Sequence, residues 1–404
     1  MTTGSRAPRR LTILGSTGSI GQNTLDVIAQ LGGRDAFEIA AITGHDNIDL
    51  LASQAKACGA ALAVTANEDR YQALKEALAG TGIAVAAGRN ALIEAASIPS
   101  DWVMAAIVGT AGLAPTLEAA RRGADIALAN KECLVSAGDL FVRAVSEGGG
   151  RLIPVDSEHS AIFQALEDDQ QHAVERIILT ASGGPFRTWS REQMANVTPA
   201  TARAHPNWSM GFKISIGSAS MFNKALEMIE AKHLFNVRPD QIEVVVHPQS
   251  VIHSMVGYTD GSVLAQLGCP DMRTAIGYAL TYPSRTKLDV ERLDFTKLAR
   301  LDFEAPDEVR FPALRLARTA MERGGLQGAI MNAAEEIAFQ AFVDGRIGFL
   351  EMADIAEAVM DQMIATGAAE TMDAVFAADE EARGRAGVLV AQKKRPRKQR
   401  PFPN

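Results

Sequence analysis

Through the first 155 residues, short apolar runs alternate with stretches whose apolar side chains recur every three or four positions. The runs are LTILG (11–15), FEIAAIT (37–43), ALAVTA (61–66), IAVAAG (83–88), WVMAAIVG (102–109), DIALA (125–129) and RLIPV (151–155). Each reads as a buried strand. Helical spacing fills the gaps. Ile20, Thr24, Val27, Ile28 and Leu31 follow the first run, and further helical stretches lie near 47–57, 70–79, 89–96, 113–122 and 131–146. Pro115 falls early in one of them, where its missing N–H costs nothing. Strands alternating with helices predict βαβ units and a mostly parallel sheet with right-handed crossovers.

The pattern changes after 155. RIILTA (176–181), IEVVVH (242–247), SVIHSMVGY (250–258) and GSVLAQL (261–267) predict strands, and Asp260-Gly261 marks a hairpin between the last two. Residues 291–311 are polar, include Pro306 and read as a linker. From 312 to about 386 the apolar spacing is helical again. The fold class is α/β. An N-terminal Rossmann-like doubly wound sheet (1–155) precedes a central α+β domain (156–290), the linker (291–311), a C-terminal helical domain (312–392) and a basic tail (393–404).

Composition narrows the function. The 404 residues are 47 % hydrophobic and 5 % aromatic, with 34 Gly and a formal net charge of −8. A net acidic chain with few aromatics argues against nucleic acid as a partner. Six positive side chains crowd the tail (Lys393, Lys394, Arg395, Arg397, Lys398, Arg400) and read as a solvated end. No apolar run approaches the roughly 18 residues of a membrane span. Residues 1–10 hold Arg6, Arg9 and Arg10 with no apolar core behind them, so no leader is expected. The cysteines Cys58, Cys133 and Cys269 have no CxxC spacing, which predicts a reducing cytoplasm.

GSTGSIG (15–21) follows the first strand and opens a helix. Glycine permits the tight turn and close backbone approach, and the helix start offers free N–H groups to a pyrophosphate. Thr17, Gly18, Ser19 and Ile20 are the expected contacts. The second strand ends in Thr43-Gly44-His45-Asp46-Asn47. An acid there favours NAD and a base favours the 2′-phosphate of NADP; these residues leave the two even.

Asp156 and Glu158, in PVDSEHSAIFQAL (154–166), are two apart and can share one side of an extended segment. Hard carboxylate oxygens suit Mg²⁺ or Mn²⁺ rather than zinc. Taken alone, such a pair is more often surface charge. Ser182, Gly183 and Gly184 form a candidate anion nest. His205 and Trp208 stand in a loop bounded by Pro and Gly, with Ser218 further on. Asn223, Lys224 and Glu227 share one helix face, offering a phosphate an amide and an ammonium and a metal a third carboxylate. Asn130, Lys131 and Glu132 occupy the strand-to-helix turn where a nicotinamide would sit. A thiol mechanism of the aldehyde dehydrogenase kind would need Cys133.

The runs GSTGSIG, LANKE, PVDSEHSAIFQ, SGGPFR, HPNWSMG, SxxMxNKxxE and HPQSVIH stand in that order. Together the sequence resembles the 1-deoxy-D-xylulose 5-phosphate reductoisomerase family over about residues 11–386. The resemblance implies an NADPH-dependent, Mg²⁺- or Mn²⁺-dependent enzyme, typically a homodimer, on the methylerythritol phosphate route to isoprenoids. It would rearrange the ketose phosphate and reduce the product to 2-C-methyl-D-erythritol 4-phosphate.

By the same resemblance, the metal carboxylates are Asp156, Glu158 and Glu227. Ser157, Ser182, Ser218, Asn223 and Lys224 line the substrate and phosphate pocket, with Glu158 and Glu227 beside them. Lys131 lies near the reacting carbons. His205 and Trp208 belong to a flexible loop, about 202–212, that closes over substrate. Thr17, Gly18, Ser19, Ile20, Gly44, His45, Asn47, Asn130, Glu132 and Gly211 contact the cofactor. One departure stands out: His45-Asp46-Asn47 replaces the family's frequent Gly-Lys-Asn or Arg-Asn stretch.

Overall fold

The structure is a computed structural model that describes residues 8–167, 169–202, 211–364, 367 and 369–393. Packing groups the chain into two compact units that are interleaved along the sequence. The first comprises Met1–Cys133, Phe141–Phe163 and Asp271–Arg292; the second comprises Leu134–Leu140, Gln164–Pro270 and Leu293–Asn404.

All seven expected N-terminal strands form in the first unit. They are β1 (Arg9–Leu14), β2 (Phe37–Gly44), β3 (Leu62–Thr65), β4 (Ala84–Ala87), β5 (Trp102–Ala105), β6 (Asp125–Leu128) and β7 (Leu152–Pro154). Their order is β4-β3-β2-β1-β5-β6-β7, and every pair is parallel. The chain therefore winds outward from β1 and then crosses to β5. This reversal between β1 and β5 is the switch point where a doubly wound sheet opens a crevice at its carboxyl edge. Leu11, Ile13, Ile39, Ile42, Trp102 and Met104 are buried in its core.

One helix of this unit comes from far along the chain. Met272–Thr281 packs Ile276, Ala279 and Leu280 into the same core. The Trp102 indole N–H donates to the Ala279 carbonyl at 3.1 Å, which satisfies the one polar atom of a fully buried side chain.

The second unit holds a four-stranded sheet ordered β11-β10-β8-β9, from β8 (Val174–Ala181), β9 (Ile242–Val246), β10 (Ile252–Tyr258) and β11 (Val263–Leu267). The β10–β11 and β10–β8 pairs are antiparallel and the β8–β9 pair is parallel. The hairpin turns at Asp260-Gly261, where Gly261 has φ +88° and Asp260 accepts the Ser262 N–H at 2.8 Å. Helices Ala313–Arg323, Gln327–Val343, Glu351–Gln362 and Met372–Gln392 form the C-terminal part.

The polar stretch 291–311 is tied down locally. Glu304 and Val246 exchange both backbone hydrogen bonds, at 2.8 and 2.9 Å, so the segment extends the β9 edge. The His247 ring accepts the Val251 N–H at 3.2 Å and meets the Asp302 carbonyl at 2.9 Å, and so braces the same segment. The basic tail beyond Lys393 lies outside the described residues.

Candidate active site

In the first unit, the loop after β1 is shaped by its glycines. Gly15 has φ +88°, and a Cβ there would lie 2.6 Å from the Ala106 carbonyl oxygen. A Cβ at Gly21 would strike the Gly15 carbonyl. The loop can therefore lie this close to β5 and its own helix only with hydrogen side chains. Helix Ser19–Gln30 has no side-chain cap at Gly18. Its first N–H groups stay available for an anion, the requirement of a bound pyrophosphate. Thr17 to Ile20 sit at this turn, as expected, and the donor set fits a dinucleotide.

Just past the end of β2, the exposed Asp46 has three donors beside it. The Asn67 amide donates to it at 2.7 Å, His45 Nδ1 lies 2.7 Å away and Arg70 Nε 3.7 Å away. The Asn67 hydrogen bond, then that of His45, holds the Asp46 carboxyl below its ordinary range. The Asn47 side chain accepts from the Leu50 N–H at 3.2 Å and caps helix Ile48–Cys58.

At the end of β6, the buried Asn130 is fully engaged in shaping the turn. Its amide donates to Gly109 O at 2.9 Å, and its oxygen accepts the Cys133 N–H at 2.8 Å. Beside it the Lys131 ammonium bonds the Asp156 carboxylate. Asp156 also accepts the Glu158 N–H at 3.1 Å, and Ser157 Oγ donates to Glu158 at 2.8 Å. This differs from the expected extended segment. Asp156 turns the chain into helix Ser157–Ala165, so Glu158 sits in that helix's first turn. Lys131, Asp156, Ser157 and Glu158 thus meet where β6 and β7 end.

In the second unit, Ser182 follows β8 and accepts the Gly184 N–H at 3.1 Å. Gly183 and Gly184 both have positive φ, 79° and 65°. A Cβ on Gly184 would come within 3.0 Å of the Ser218 carbonyl oxygen, so the Ser182 turn and the Ser218 segment abut. The stretch from 212 is more helical than its sequence suggested. Helix Phe212–Ala219, starting at Gly211, carries Ser218, and Met221 at φ +64° breaks it from helix Phe222–Leu234.

On that second helix Glu227 is completely buried. The amide of Asn223 donates to one of its carboxylate oxygens and the Lys224 ammonium to the other. Lys224 itself is only 5 % exposed. Burying a charge is costly unless it is paired and hydrogen-bonded, and this helix face meets both conditions. Asp156 and Glu158 in the first unit, and Glu227 in the second, are each hard oxygen donors of the kind that Mg²⁺ or Mn²⁺ takes. His205 and Trp208 lie outside the described residues.

The comparisons agree along the chain. Family models match residues 11–138 (1-deoxy-D-xylulose 5-phosphate reductoisomerase), 152–235 (its C-terminal domain) and 267–385 (DXP reductoisomerase C-terminal domain). The chain belongs to the 1-deoxy-D-xylulose 5-phosphate reductoisomerase family. It is similar to the enzyme of that name from Rhizobium rhizogenes, 97 % identical over 395 residues that span 98 % of this chain and all of the relative. The solved reductoisomerase from Zymomonas mobilis in complex with NADPH is 53 % identical, with a TM-score of 0.90, over 95 % of this chain and 100 % of that one. A reductoisomerase structure with NADPH, fosmidomycin and magnesium is 42 % identical, with a TM-score of 0.89, over 95 % of this chain and 98 % of that one.

Sequence reasoning missed one ionic network. Lys213, on the helix that begins at Gly211, pairs with Glu336 at 2.6 Å. Arg383 also pairs with Glu336 and meets Asp379 at 2.6 Å. Asp379 and Arg383 are one helical turn apart, but nothing in local spacing links them to Lys213 or Glu336. No helix among the described residues is long and apolar enough to cross a membrane.

Proposed function

We propose that this chain rearranges 1-deoxy-D-xylulose 5-phosphate and reduces the product to 2-C-methyl-D-erythritol 4-phosphate, with NADPH and Mg²⁺ or Mn²⁺. It is then an NADP-dependent oxidoreductase acting on a CH–OH group, on the route to isoprenoid precursors. The observation that carries this reading is the Lys131–Asp156 pair at the carboxyl edge of a doubly wound sheet with a glycine loop at its switch point. Family membership over nearly the whole chain supports it.

When bound, NADPH supplies a hydride and the divalent cation polarises substrate oxygens. The chain's residues do the rest. Asp156, Glu158 and Glu227 hold the cation. Ser182, Ser218, Asn223 and Lys224 take the phosphate, whose binding energy holds the reacting carbons in line. Ser157 bonds sugar hydroxyls, and Lys131 stands beside the reacting carbons. His205 and Trp208, in the loop at about 202–212, close over substrate and exclude water. Thr17, Gly18, Ser19, Ile20, Gly44, His45, Asn47, Asn130, Glu132 and Gly211 contact the cofactor. In this reading residues 1–155 bind NADPH, residues 156–290 carry the chemistry, and the protein works as a cytoplasmic homodimer.

The thiol alternative lacks an accessible nucleophile, because Cys133 is fully buried. The deciding experiment follows NADPH absorbance with 1-deoxy-D-xylulose 5-phosphate and Mn²⁺, repeated with EDTA and with NADH. The expected result is metal-dependent oxidation of NADPH. Folded protein that binds NADPH but does not turn over would sink the proposal.

A further inference from the structure

We infer that Gln54 is a positioning residue that aims the Thr17 N–H at the cofactor pyrophosphate. The inference rests on the cofactor reading above. Gln54 projects from helix Ile48–Cys58 and is 8 % exposed. Its side-chain oxygen accepts from Ser16 Oγ at 2.8 Å, and its NH₂ donates to the Ser16 carbonyl at 2.9 Å. Among side chains of this shape only an amide offers a donor and an acceptor together.

The second bond has the functional consequence. A trans peptide is planar, with its C=O and N–H pointing in opposite directions. Holding the Ser16 carbonyl toward Gln54 therefore turns the N–H of Thr17, on the same peptide plane, away from the protein and toward the ligand side of the loop. Thr43 fixes the preceding residues, accepting the Gly15 N–H on its hydroxyl at 2.9 Å and the Ser16 N–H on its carbonyl at 2.7 Å. None of those bonds sets the Ser16–Thr17 plane.

Packing confines the loop as well: Ser16 is buried, and a Cβ at Gly21 would lie 2.6 Å from the Ser16 carbonyl carbon. Gln54 borders a cavity of about 350 Å³ lined by Gln22, Leu25, Ile28, Ala57 and Cys58 among others. Within the packed loop, the Gln54 NH₂ gives the Ser16 carbonyl its polar partner and so holds the plane in this orientation. The cavity accommodates an apolar side chain at 54 without overpacking.

The test is NADPH affinity of the full chain, by nucleotide fluorescence, for the wild type, Gln54→Met, Gln54→Glu and Ser16→Ala. Gln54→Met loses both bonds and should weaken NADPH about tenfold, as expected for one misaimed charge-assisted hydrogen bond. KM for NADPH should rise by a similar factor, with kcat at saturating NADPH and KM for the sugar phosphate within about twofold of wild type. Gln54→Glu keeps an acceptor for Ser16 Oγ but loses the donor, so it should weaken NADPH like Gln54→Met. Ser16→Ala keeps the carbonyl bond and should stay within about threefold of wild type.

Unchanged NADPH affinity in folded Gln54→Met would overturn the inference, and so would a lowered melting temperature with normal affinity. If Gln54→Met fails to fold, Gln54→Glu decides on the same readout. Wild-type protein that does not bind NADPH would instead overturn the cofactor reading itself.

Discussion

The ammonium of Lys131 rests on the carboxylate of Asp156, at the ends of the adjacent parallel strands β6 and β7. An ammonium and a divalent cation compete for the same carboxylate oxygens. Lys131→Met should therefore cut turnover at least about 100-fold, while Mn²⁺ binds no more weakly than before. Calorimetric titration of Mn²⁺ checks the second half. A marked loss of Mn²⁺ affinity would mean that Lys131 supports the metal site instead of competing with it.

Glu227 is held by Asn223 and Lys224 from its own helix. In Glu227→Gln, turnover should fall at least about 100-fold, the scale of one major electrostatic contact. Near-normal turnover at saturating Mn²⁺ would remove Glu227 from the ligand set. Lys224→Ala should raise KM for the sugar phosphate and also lower the melting temperature. It leaves a buried carboxylate without its cation, a loss of roughly 3–5 kcal/mol. An unchanged KM would count against its phosphate role.

Asp46 carries a full negative charge near neutral pH, since Asn67 and His45 hold its carboxyl below the usual range. Its place at the end of β2 faces the expected ribose 2′-position. Asp46→Asn should shift the ratio of kcat/KM for NADPH over NADH upward by about three- to tenfold, and more at low ionic strength. Steady-state rates with both nucleotides read this out directly. A ratio that does not move would place the 2′-phosphate elsewhere.

Glu336 gives an acid-side signature. Burial raises its carboxyl, but Lys213 and Arg383 outweigh that and leave the net shift downward. A carboxyl lowered in the folded state stabilises above its unfolded value, and that contribution is lost as pH falls through the folded one. The native protein should therefore lose stability as pH drops below about 4.3. Glu336→Gln should lack this segment and be weaker at pH 7 by roughly 2–3 kcal/mol. That is below the range for a fully buried pair, because the side chain stays 16 % exposed. Denaturant midpoints across pH 3–7 would show it.

Much of this was readable from the sequence. Strands such as LTILG and WVMAAIVG are buried on both faces, so each appears as an unbroken apolar run. The glycine loop was legible because its steric demands are local. Asn223, Lys224 and Glu227 were legible because helical spacing brings them together. Other features depend on contacts that no window contains. Trp102 and Ala279, joined by a hydrogen bond, are separated by 177 positions. Asn47 and Asn130 are sites by family resemblance, yet their side chains cap or brace turns here. The break at Met221 was hidden because a left-handed residue that is not glycine leaves no compositional mark.

The helix Met272–Thr281 imposes an order on how the protein can be made. The seven-stranded sheet closes its core with Ile276, Leu280 and Leu288, synthesised long after β7. Each such side chain contributes roughly 1.5–3 kcal/mol when buried. On the ribosome, the sheet must wait with the face around Trp102 uncovered until about residue 290 has emerged. A fragment cut after Phe163 carries all seven strands but not that cover, and its exposed apolar face would favour association over folding.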